Sequence, residues 1–345
     1  MSLRELSNRG SLMRKITCIS LVLLTTFFLM VGCAPKQRED KKPLKIAINT
    51  WPGYAHAFIA KEKGIFRKNN VNVELVLKKD ITESTQLYKD NEVDGFFNVF
   101  PDIILMNAQG IRAKVVYVAD YSDTGDVIIG KPKFRFLADL KGRKVSFEGI
   151  NTFSHLFVLK ALEKAGLKES EVQFEIIPAM DVLNSLEKGT IDAGHTWEPI
   201  TSQALQKGYK ILAKAGDIPG IITDVLAFNA KVVKERPDGI QEIVKSILEA
   251  RDFIYSNRDE ALEIMSRAEG MSKEEMGKGI DGVRQLDLKE NIKGMQKSEE
   301  IISLYGSGKM IIDFYLSRGQ LSQLPDLDEI IKPKFVIQLG EKLKK

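Results

Sequence analysis

The side chains of this sequence that are best suited to hold a ligand are concentrated in a few short stretches. The 345 residues include two tryptophans and three histidines, and all five lie within residues 49–56, 149–155 and 195–199. Each of these stretches, like residues 98–102, follows a segment that is typical of a buried strand. Ligands of open α/β sheets bind outside the carboxyl ends of strands. The four turns are therefore predicted to form one ligand site with aromatic walls.

Two of these turns open helices, whose first N–H groups lack intrahelical partners. The segments are Tyr54-Ala55-His56 and Phe153-Ser154-His155, and both are predicted to present donors to an anionic group. A helix terminus contributes about 0.3–1 kcal/mol, or up to about 2 kcal/mol when partly buried, whereas micromolar binding requires roughly 8 kcal/mol. The aromatic rings of Trp51, Tyr54 and Trp197 would supply the remainder through apolar burial or stacking.

Several of these residues also have a structural interpretation. Phe153 is typical of a core residue, and Trp51 could staple the helix that follows it. His195 lies in a short strand and is predicted to be a satisfied interior histidine. Glu198 indicates an ammonium or amidine on the ligand, unless it only caps the helix that starts at Pro199.

Neither a cofactor nor catalysis is predicted. The spacing of the histidines matches no zinc motif, so no metal is expected. For His56 and His155, which lie in first turns of helices, a hydrogen-bonding role and ligand contact are equally favoured. The sequence contains no G-x-S-x-G, H-E-x-x-H, P-loop or G-x-G-x-x-G motif. Ser154 and His155 cannot pair as nucleophile and base, because adjacent residues on a helix point apart.

The strands and helices that position these turns occur in the same order twice along the chain. Lys45–Pro101 and Lys144–Pro199 both run strand, turn, amphipathic helix, strand, helix and short strand, and Asp94 and Asp192 occupy equivalent places. True duplication and the general rhythm of α/β units explain this pattern equally well. Either explanation predicts two α/β lobes that face each other across a cleft.

Lobe boundaries follow from the strand pattern. The first lobe is predicted to comprise residues 44–121 and 226–345, and the second lobe residues 122–225, because Thr223–Phe228 has the pattern of a strand that returns to the first lobe. Two connecting segments between lobes are what a hinge requires. The rest of the chain is predicted to be helical, with helices over Pro237–Tyr255 and Glu299–Tyr305 among others.

The composition is that of a soluble globular protein, with 43% hydrophobic and 28% charged residues. The net charge is only +4, and no basic run is interleaved with aromatic residues. Nucleic acid is therefore not a predicted partner.

Residues 1–33 are predicted to be a lipoprotein signal peptide. A basic start at Met13-Arg14-Lys15 is followed by an apolar segment of sixteen residues and by Met30-Val31-Gly32-Cys33, which resembles a bacterial lipobox. Cys33 is predicted to be lipidated, as by palmitate, and to become the mature N-terminus. A single membrane-spanning anchor is the alternative, but such an anchor requires roughly 20 apolar residues. Met13 is the suspected true start.

Residues 34–43 are charged and poor in apolar side chains, which favours a flexible tether. Cys18, within the apolar segment, is the other cysteine of the chain. The mature chain can therefore form no internal disulfide and no cysteine-based zinc site.

The chain resembles the substrate-binding lipoproteins of ABC importers, in particular the group that binds sulfonates, nitrate, taurine and thiamine pyrimidines. The resemblance implies a periplasmic-binding-protein type II fold, which is α/β with two lobes and a ligand cleft between them. It also implies a small-molecule ligand, an ABC permease as partner, a monomeric state, and attachment to the membrane through a lipid anchor at the periplasm or cell surface. The segments that carry the resemblance are the lipobox, KIAINTWPGYAHAFIAKEKGIF with NVNVEL, DLKGRKVSFEGINTFSHLFVLKALEKAGL and GTIDAGHTWEP.

Carried over by position, the resemblance implies ligand contacts from both lobes. Neither Arg nor Lys stands in any of the four turns, which weakens the case for a sulfonate or nitrate and leaves aromatic, neutral or zwitterionic ligands open. The implied contacts are Trp51, Tyr54, Asn98, Tyr121, Thr152, Ser154, His155, Trp197 and Glu198.

The predicted function is capture of a small organic or oxyanion ligand by lobe closure, followed by delivery to a permease. An enzyme of a thiamine-pyrimidine or menaquinone pathway on the same fold is one alternative. The lipobox argues against it, because those pathways are cytosolic. A ligand-sensing module that feeds a signalling partner is the other alternative.

Overall fold

The computed structural model describes residues 42–321 and 323–343. The predicted signal peptide, and all but the last two residues of the predicted tether, lie outside the described residues. Within the described part of the chain, no helix combines the length and apolar composition that a bilayer crossing requires.

Strands and helices alternate through the first two thirds of the chain, and the last third is mainly helical. The strands are β1 (Leu44–Asn49), β2 (Val73–Lys78), β3 (Gly95–Val99), β4 (Ala113–Ser122), β5 (Val127–Gly130), β6 (Lys144–Phe147), β7 (Gln173–Ile176), β8 (Ala193–Thr196), β9 (Lys210–Lys214), β10 (Thr223–Asn229) and β11 (Val283–Gln285). The helices are α1 (His56–Glu62), α2 (Ile65–Lys68), α3 (Ile81–Lys89), α4 (Phe100–Ala108), α5 (Phe153–Lys164), α6 (Val182–Glu187), α7 (Ile200–Gln206), α8 (Ala230–Glu235), α9 (Pro237–Ser256), α10 (Arg258–Glu269), α11 (Lys273–Asp281), α12 (Leu288–Met295), α13 (Leu304–Ser317), α14 (Leu327–Ile330) and α15 (Lys334–Leu343).

The described strands form two sheets with the same internal order. The first sheet runs β11-β4-β10-β3-β1-β2, and the second runs β7-β6-β8-β5-β9. In both sheets three strands are parallel, namely β2-β1-β3 and β7-β6-β8, and the next strand, β10 or β5, is antiparallel to them. The predicted α/β class with two lobes is confirmed.

The two parallel units also share a side-chain contact at their strand starts. The backbone N–H of Lys45 donates to Asp94 Oδ2 at 2.8 Å, and the N–H of Lys144 donates to Asp192 Oδ2 at 3.3 Å. Each aspartate N–H in turn donates to the carbonyl of the same lysine. The first and third strands are therefore held at the same register in both sheets, and the predicted rhythm of strands and helices is confirmed.

Two chain segments connect the sheets and lie side by side. Residues 123–126 lead from β4 to β5, and residues 215–222 lead from β9 to β10. The N–H of Ala215 donates to the carbonyl of Asp126 at 2.9 Å, and the carbonyl of Gly282 accepts from the N–H groups of residues 123–125. Because few residues connect the lobes, a rotation of one lobe against the other is concentrated in these segments. They are called the crossing segments below.

The return of the chain to the first sheet is complete at Thr223, where β10 begins. The predicted lobe limits, 44–121 with 226–345 and 122–225, differ from the strand ends by a few residues and stay a prediction. Residues 226–345 contribute helices that cover the first sheet, with α9 against α1 and α15 against β4.

Local patterns predicted some elements closely. The sequence pattern predicts strands over Gly95–Val99 and Lys144–Phe147, and the observed β3 and β6 have these bounds. It also predicts helix caps at Asp80 and Ser272, which are confirmed by hydrogen bonds from Glu83 N and Glu275 N. The helix predicted over Glu299–Tyr305 is wrong, because residues 299–303 form turns and the helix begins only at Leu304. The hydroxyl of Ser303 accepts from the N–H of Tyr305 and thereby sets that start.

Asn291 holds α12 against β4, the strand that leads into the first crossing segment. Its buried amide accepts from Val118 N at 2.8 Å and donates to Val118 O at 3.0 Å. The strand β11 pairs with β4 only at residues 120–122, so the side chain of Asn291 continues the hydrogen bonding where that strand ends.

We expect Asn291→Ala to lower the unfolding free energy by about 2–4 kcal/mol, because it leaves a buried N–H and a buried carbonyl without partners. Denaturant titration followed by circular dichroism would measure the loss. Asn184→Ala, at an exposed position of α6, is the matched control. An equal effect of the two substitutions would contradict the assigned role of Asn291.

Candidate functional site

A small cavity lies where the carboxyl ends of strands from both sheets meet the crossing segments. Its volume is about 20 Å³, which is room for about one water molecule. An organic ligand therefore enters only if the walls move apart. The residues that line the cavity are Asn49, Trp51, Tyr54, Ile81, Val99, Asp126, Phe153, Trp197 and Asp224.

Aromatic rings from the two lobes meet across this cavity. Trp51 follows β1 and Trp197 follows β8, and their rings lie edge to face with centroids 6.2 Å apart. Tyr54 adjoins Trp51 at 6.3 Å, and Phe153 adjoins Trp197 at 6.1 Å. The four rings thus provide apolar walls from both sides of the cleft.

Two glycines make room for the indole of Trp51. A Cβ atom on Gly53 would overlap Asp120 Oδ2 and Trp51 Nε1, and a Cβ atom on Gly125 would lie 2.8 Å from Trp51 Cη2. Any larger residue at either position would displace the ring. The close approach of the Gly53 backbone also places the indole N–H beside the Asp120 carboxyl, to which it donates at 3.4 Å.

Three aspartates are buried beside this ring. Asp120 and Asp224 are paired across the neighbouring strands β4 and β10, and Asp126 lies at the end of the first crossing segment. The hydroxyl of Tyr54 donates to Asp224 Oδ1. Among the described residues, no lysine or arginine forms an ion pair with any of the three carboxyls. They are called the carboxyl cluster below.

Burial dominates the electrostatics of this cluster. It raises the pKa of Asp120 above the usual carboxyl range, and it raises the pKa of Asp224 well above that range. The charge of Asp126 raises the pKa of both groups further. Asp120 Oδ1 and Asp224 Oδ2 are buried and have no donor among the described residues, and two carboxyls paired across neighbouring strands in a buried site favour a state in which they share one proton.

Asp126 is oriented by a histidine and a serine. His195 Nε2 lies 2.9 Å from Asp126 Oδ1, and His195 Nδ1 lies 2.7 Å from Ser154 Oγ. The prediction that His195 is a satisfied interior histidine is therefore confirmed. The second carboxylate oxygen, Asp126 Oδ2, is buried and has no hydrogen-bond partner among the described residues. This atom belongs to a residue of the cavity wall.

Three of the nine residues implied as ligand contacts line the cavity, namely Trp51, Tyr54 and Trp197. The indole N–H of Trp197 is buried and has no acceptor among the described residues. It is therefore a donor that a ligand could use. The assignment of these three residues to ligand binding stays a prediction.

Three further predicted residues lie behind the cavity wall at the start of α5. Ser154 supports His195, as described above. Thr152 caps the helix, since its hydroxyl accepts from His155 N at 3.3 Å and donates to the carbonyl of Gly149 at 2.8 Å. His155 Nδ1 accepts from Asn151 N at 3.2 Å. All three are occupied by contacts that shape the turn.

The remaining three predicted residues are bonded within their own lobes. The Asn98 amide donates to Thr85 Oγ1 at 2.7 Å, and the Tyr121 hydroxyl donates to the carbonyl of Ile302 at 2.5 Å. The carboxylate of Glu198 accepts from Ser202 N at 3.1 Å and from Ser202 Oγ at 2.9 Å, as the capping alternative predicts. None of these three is among the residues that line the cavity.

Four of the six helix-terminal N–H groups that were predicted to face an anion, those of Tyr54, Ala55, Phe153 and His155, donate to acceptors of the protein itself. The N–H groups of Tyr54 and Ala55 donate to the carbonyls of Trp51 and Pro52. The N–H of Phe153 donates to Asp102 Oδ1 at 2.8 Å. Asp102 belongs to α4 in the first lobe, so a carboxylate of the protein itself occupies the start of α5.

The sequence interpretation missed the carboxyl cluster. Asp126 and Asp224 stand next to apolar strand segments, VIIG and VLAF, and a charged residue at such a place is a signal that could have been used. The pairing of Asp120 with Asp224 joins residues more than 100 positions apart and depends on the antiparallel β10. Within the described residues, no group of three His, Cys, Asp or Glu side chains has an arrangement that could hold a metal ion.

Comparisons with known proteins agree with the architecture. A model of the family described as NMT1/THI5 like matches residues 51–261. A protein of Brucella abortus (strain 2308) that is named a binding protein is 27% identical over 261 residues, which cover 74% of this chain and 79% of that protein. The formylaminopyrimidine-binding protein of Halalkalibacterium halodurans is 22% identical over 270 residues, which cover 73% of this chain and 79% of that protein.

Among solved structures, the periplasmic aliphatic sulphonate binding protein SsuA of Escherichia coli superposes with a TM-score of 0.70. It is 19% identical, and the superposition covers 86% of this chain and all of that one, at 100%. The two-lobed fold of this chain is thus that of a periplasmic binding protein.

The carboxyl cluster gives a pH dependence with a definite sign. The unfolded chain releases carboxyl protons near pH 4, whereas the folded protein keeps the proton shared by Asp120 and Asp224 to higher pH. The folded state therefore binds more protons between about pH 4 and neutral pH, and the unfolding free energy falls as pH rises, by at most about 1.4 kcal/mol per pH unit for one proton.

We expect the unfolding midpoint in urea to decrease from pH 5 to pH 8, and Asp120→Asn to reduce that slope. A residual slope is expected, because burial also raises the pKa of Asp102 and of Glu148. Asp313→Asn, at an exposed position of α13, should keep the slope of the unmodified protein. The same slope in all three proteins would contradict the assignment of a shared proton.

Proposed function

Since this chain belongs to the NMT1/THI5-like family, we propose that it is an extracytoplasmic solute-binding protein of an ABC importer. In this role it captures a small organic molecule or ion in the cavity between its lobes and delivers it to a membrane permease. The names of two relatives, which are both called binding proteins, support the proposal that this chain binds its ligand rather than converts it.

The observation that carries the proposal is the composition of the cavity. Its wall takes Trp51, Tyr54 and Asp224 from the first lobe, and Phe153 and Trp197 from the second. A site whose two halves belong to two lobes is complete only when the lobes are together. Ligand binding therefore favours the closed arrangement, which a permease can distinguish from the open one.

The position of the crossing segments supports this mechanism. Asp126 belongs to one crossing segment, and Asp224 is the second residue of the strand that follows the other. A small rotation about these segments separates Trp51 from Trp197 while it leaves both sheets intact. The walls can thus open without loss of the hydrophobic core of either lobe.

An enzyme on the same fold is the second candidate, because three hydrogen-bonded side chains resemble a catalytic triad. Ser154, His195 and Asp126 are hydrogen-bonded in a row, as in a hydrolase triad. The hydroxyl of Ser154 is fully buried and its residue does not line the cavity, so no substrate carbonyl can approach it. Its oxygen also accepts from Glu148 N at 3.0 Å. The chain of contacts serves to position Asp126.

The proposed ligand walls can be tested through Trp197. We expect Trp197→Ala to weaken binding at least roughly 30-fold, because a central aromatic residue at a binding site contributes about 2 kcal/mol or more. Native mass spectrometry of protein purified without denaturation would show a small molecule bound to the unmodified protein and little or none on the variant.

Phe136→Ala is the matched control, since this aromatic side chain is 66% exposed. It should retain the same bound mass as the unmodified protein. An equal occupancy of that mass in Trp197→Ala would overturn the assignment of the cavity. Release of a chemically altered molecule would support the enzyme instead.

We further propose that Cys33 is the lipidated N-terminus of the mature protein and that residues 34–43 form a tether to the membrane. The support comes from the sequence, because Cys33 and all of the tether except residues 42 and 43 lie outside the described part of the chain. In this arrangement the binding domain acts as a monomer beside its permease, at the periplasmic or outer face of the membrane.

We expect Cys33→Ser to release the protein from the membrane and to abolish incorporation of labelled palmitate, because the thiol that carries the lipid is lost. Membrane fractionation with immunoblotting would measure the distribution. Cys18→Ser is the control and should remain in the membrane fraction. If Cys33→Ser stays there as well, a membrane-spanning anchor is supported and the lipid anchor is contradicted.

A further inference from the structure

We propose, on the basis of the proposed solute-binding function, that the ligand of this cavity is a small organic cation with N–H donors, of the guanidinium or amidinium class. The carboxylates of Asp126 and Asp224 would bind the cationic group, and the rings of Trp51, Tyr54, Phe153 and Trp197 would enclose it.

The site contains more buried acidic groups than basic ones. Asp120, Asp126 and Asp224 are all nearly inaccessible to water, with exposures of 0, 1 and 2%. No lysine or arginine lines the cavity. A buried carboxylate without a counter-charge is strongly unfavourable. His195 contacts only Oδ1 of Asp126, and the described residues place no lysine or arginine against any of the three carboxyls. A cationic ligand between Asp126 and Asp224 would add a positive charge at the oxygens that His195 does not reach.

Four polar atoms of the cavity wall are buried without partners among the described residues, namely the acceptors Asn49 Oδ1, Asp126 Oδ2 and Asp224 Oδ2 and the donor Trp197 Nε1. Trp197 is only 4% exposed. Buried polar atoms in native proteins are nearly always paired. A ligand with N–H donors on one side and one acceptor on the other would satisfy these atoms.

The aromatic walls of the cavity favour one kind of cation. Aromatic faces attract cations, and tryptophan does so most strongly. A guanidinium-type group is planar, stacks on aromatic rings and is more weakly hydrated than an ammonium group. It is therefore less costly to transfer into a fully buried site. Its N–H groups also match the paired oxygens of carboxylates.

The same contacts disfavour an anionic ligand. The start of α5 accommodates the Asp102 carboxylate through the N–H of Phe153, and the N–H groups of Tyr54 and Ala55 are bonded within their own turn. An oxyanion would thus meet three carboxyls and, apart from the Trp197 indole, few free donors. Like charges in such a buried site repel each other strongly.

The protonation of the cluster offers an independent readout. The groups that face Asp120 and Asp224 are Asp126, the Tyr54 hydroxyl and the Trp51 indole. Burial raises the pKa of both aspartates, so part of the cluster is protonated at mildly acidic pH. A cation binds the deprotonated form, and its affinity should therefore increase from pH 6 to pH 8.

Tryptophan fluorescence makes this proposal directly testable, because the two tryptophans of the chain both line the cavity. Full-length protein in detergent micelles would be titrated with methylguanidine and benzamidine as cations with N–H groups. Tetramethylammonium would serve as a cation without N–H groups, and methanesulfonate and taurine would serve as sulfonates. We expect methylguanidine or benzamidine to change the tryptophan fluorescence saturably, with an affinity at least tenfold higher at pH 8 than at pH 6. Tetramethylammonium, methanesulfonate and taurine should bind at least tenfold more weakly.

Two variants locate the binding groups. Asp126→Asn should weaken binding of the responding cation at least tenfold, and Asp313→Asn should bind it as the unmodified protein does. If Asp126→Asn fails to fold, as judged by circular dichroism, Asp224→Asn and the pH dependence of the unmodified protein test the same point.

The outcomes separate this inference from the proposed function. Saturable binding of a sulfonate without binding of either N–H cation would overturn the cation class and leave solute binding intact. Equal affinity of Asp126→Asn, or no response to either N–H cation, would also overturn the inference. If NMR detects conversion of a bound cation into a product, the proposed binding-protein function is overturned and the proposed ligand class remains.

Discussion

The contact between Asp120 and Asp224 is the constraint on which the centre of this molecule depends. The two carboxyls are paired across neighbouring strands and buried, and the described residues place no lysine or arginine against them. The Tyr54 hydroxyl and the Trp51 indole each donate one hydrogen bond to the pair. These two bonds, together with a proton shared between the carboxyls, reduce the cost of burying the pair. They also bring both aromatic side chains to the wall of the cavity.

The carboxyl cluster couples the cavity to the crossing segments. Asp120 precedes the first crossing segment, Asp126 ends it, and Asp224 follows the second. Any ligand that changes the spacing of these carboxyls therefore acts on the residues about which the lobes would turn. The cavity of about 20 Å³ is too small for an organic molecule without such a turn. Recognition of the ligand and movement of the lobes thus involve the same few residues.

Much of the fold could be predicted from the sequence, because it is written in local patterns. The likeness of residues 144–147 to the first strand gave the bounds of β6, and a side-chain cap at Asp80 gave the start of α3 at Ile81. The helix predicted from Glu299 failed for a local reason too, since Ser303 caps a later start. The aromatic part of the site was predictable in the same way, because Trp51 and Trp197 each stand directly after a predicted strand.

The acidic part of the site could not be predicted by the same means. Asp120 and Asp224 meet because β10 pairs with β4 in an antiparallel register. The sequence pattern predicted the return of that strand to the first lobe, but neither its neighbour nor its register. Asp102 reaches the start of α5 from the opposite lobe and accepts the hydrogen bond from the N–H of Phe153. The sequence predicted that an anionic ligand would bind there, because a contact between residues so far apart in the chain has no local pattern. Glu198 looked like a ligand group for its charge, yet its two oxygens are used by Ser202 within one helical turn.

The shared proton of Asp120 and Asp224 and its response to a cation are tested most directly by a carboxyl-carbon NMR titration of full-length protein labelled at aspartate, with and without methylguanidine. Asp120→Asn and Asp224→Asn would assign the signals. We expect one of the two carboxyls to titrate well above the usual range near pH 4 in the free protein and to shift back toward that range when the cation binds. If both carboxyls titrate near pH 4 and do not respond to the cation, neither the shared proton nor the cation site exists.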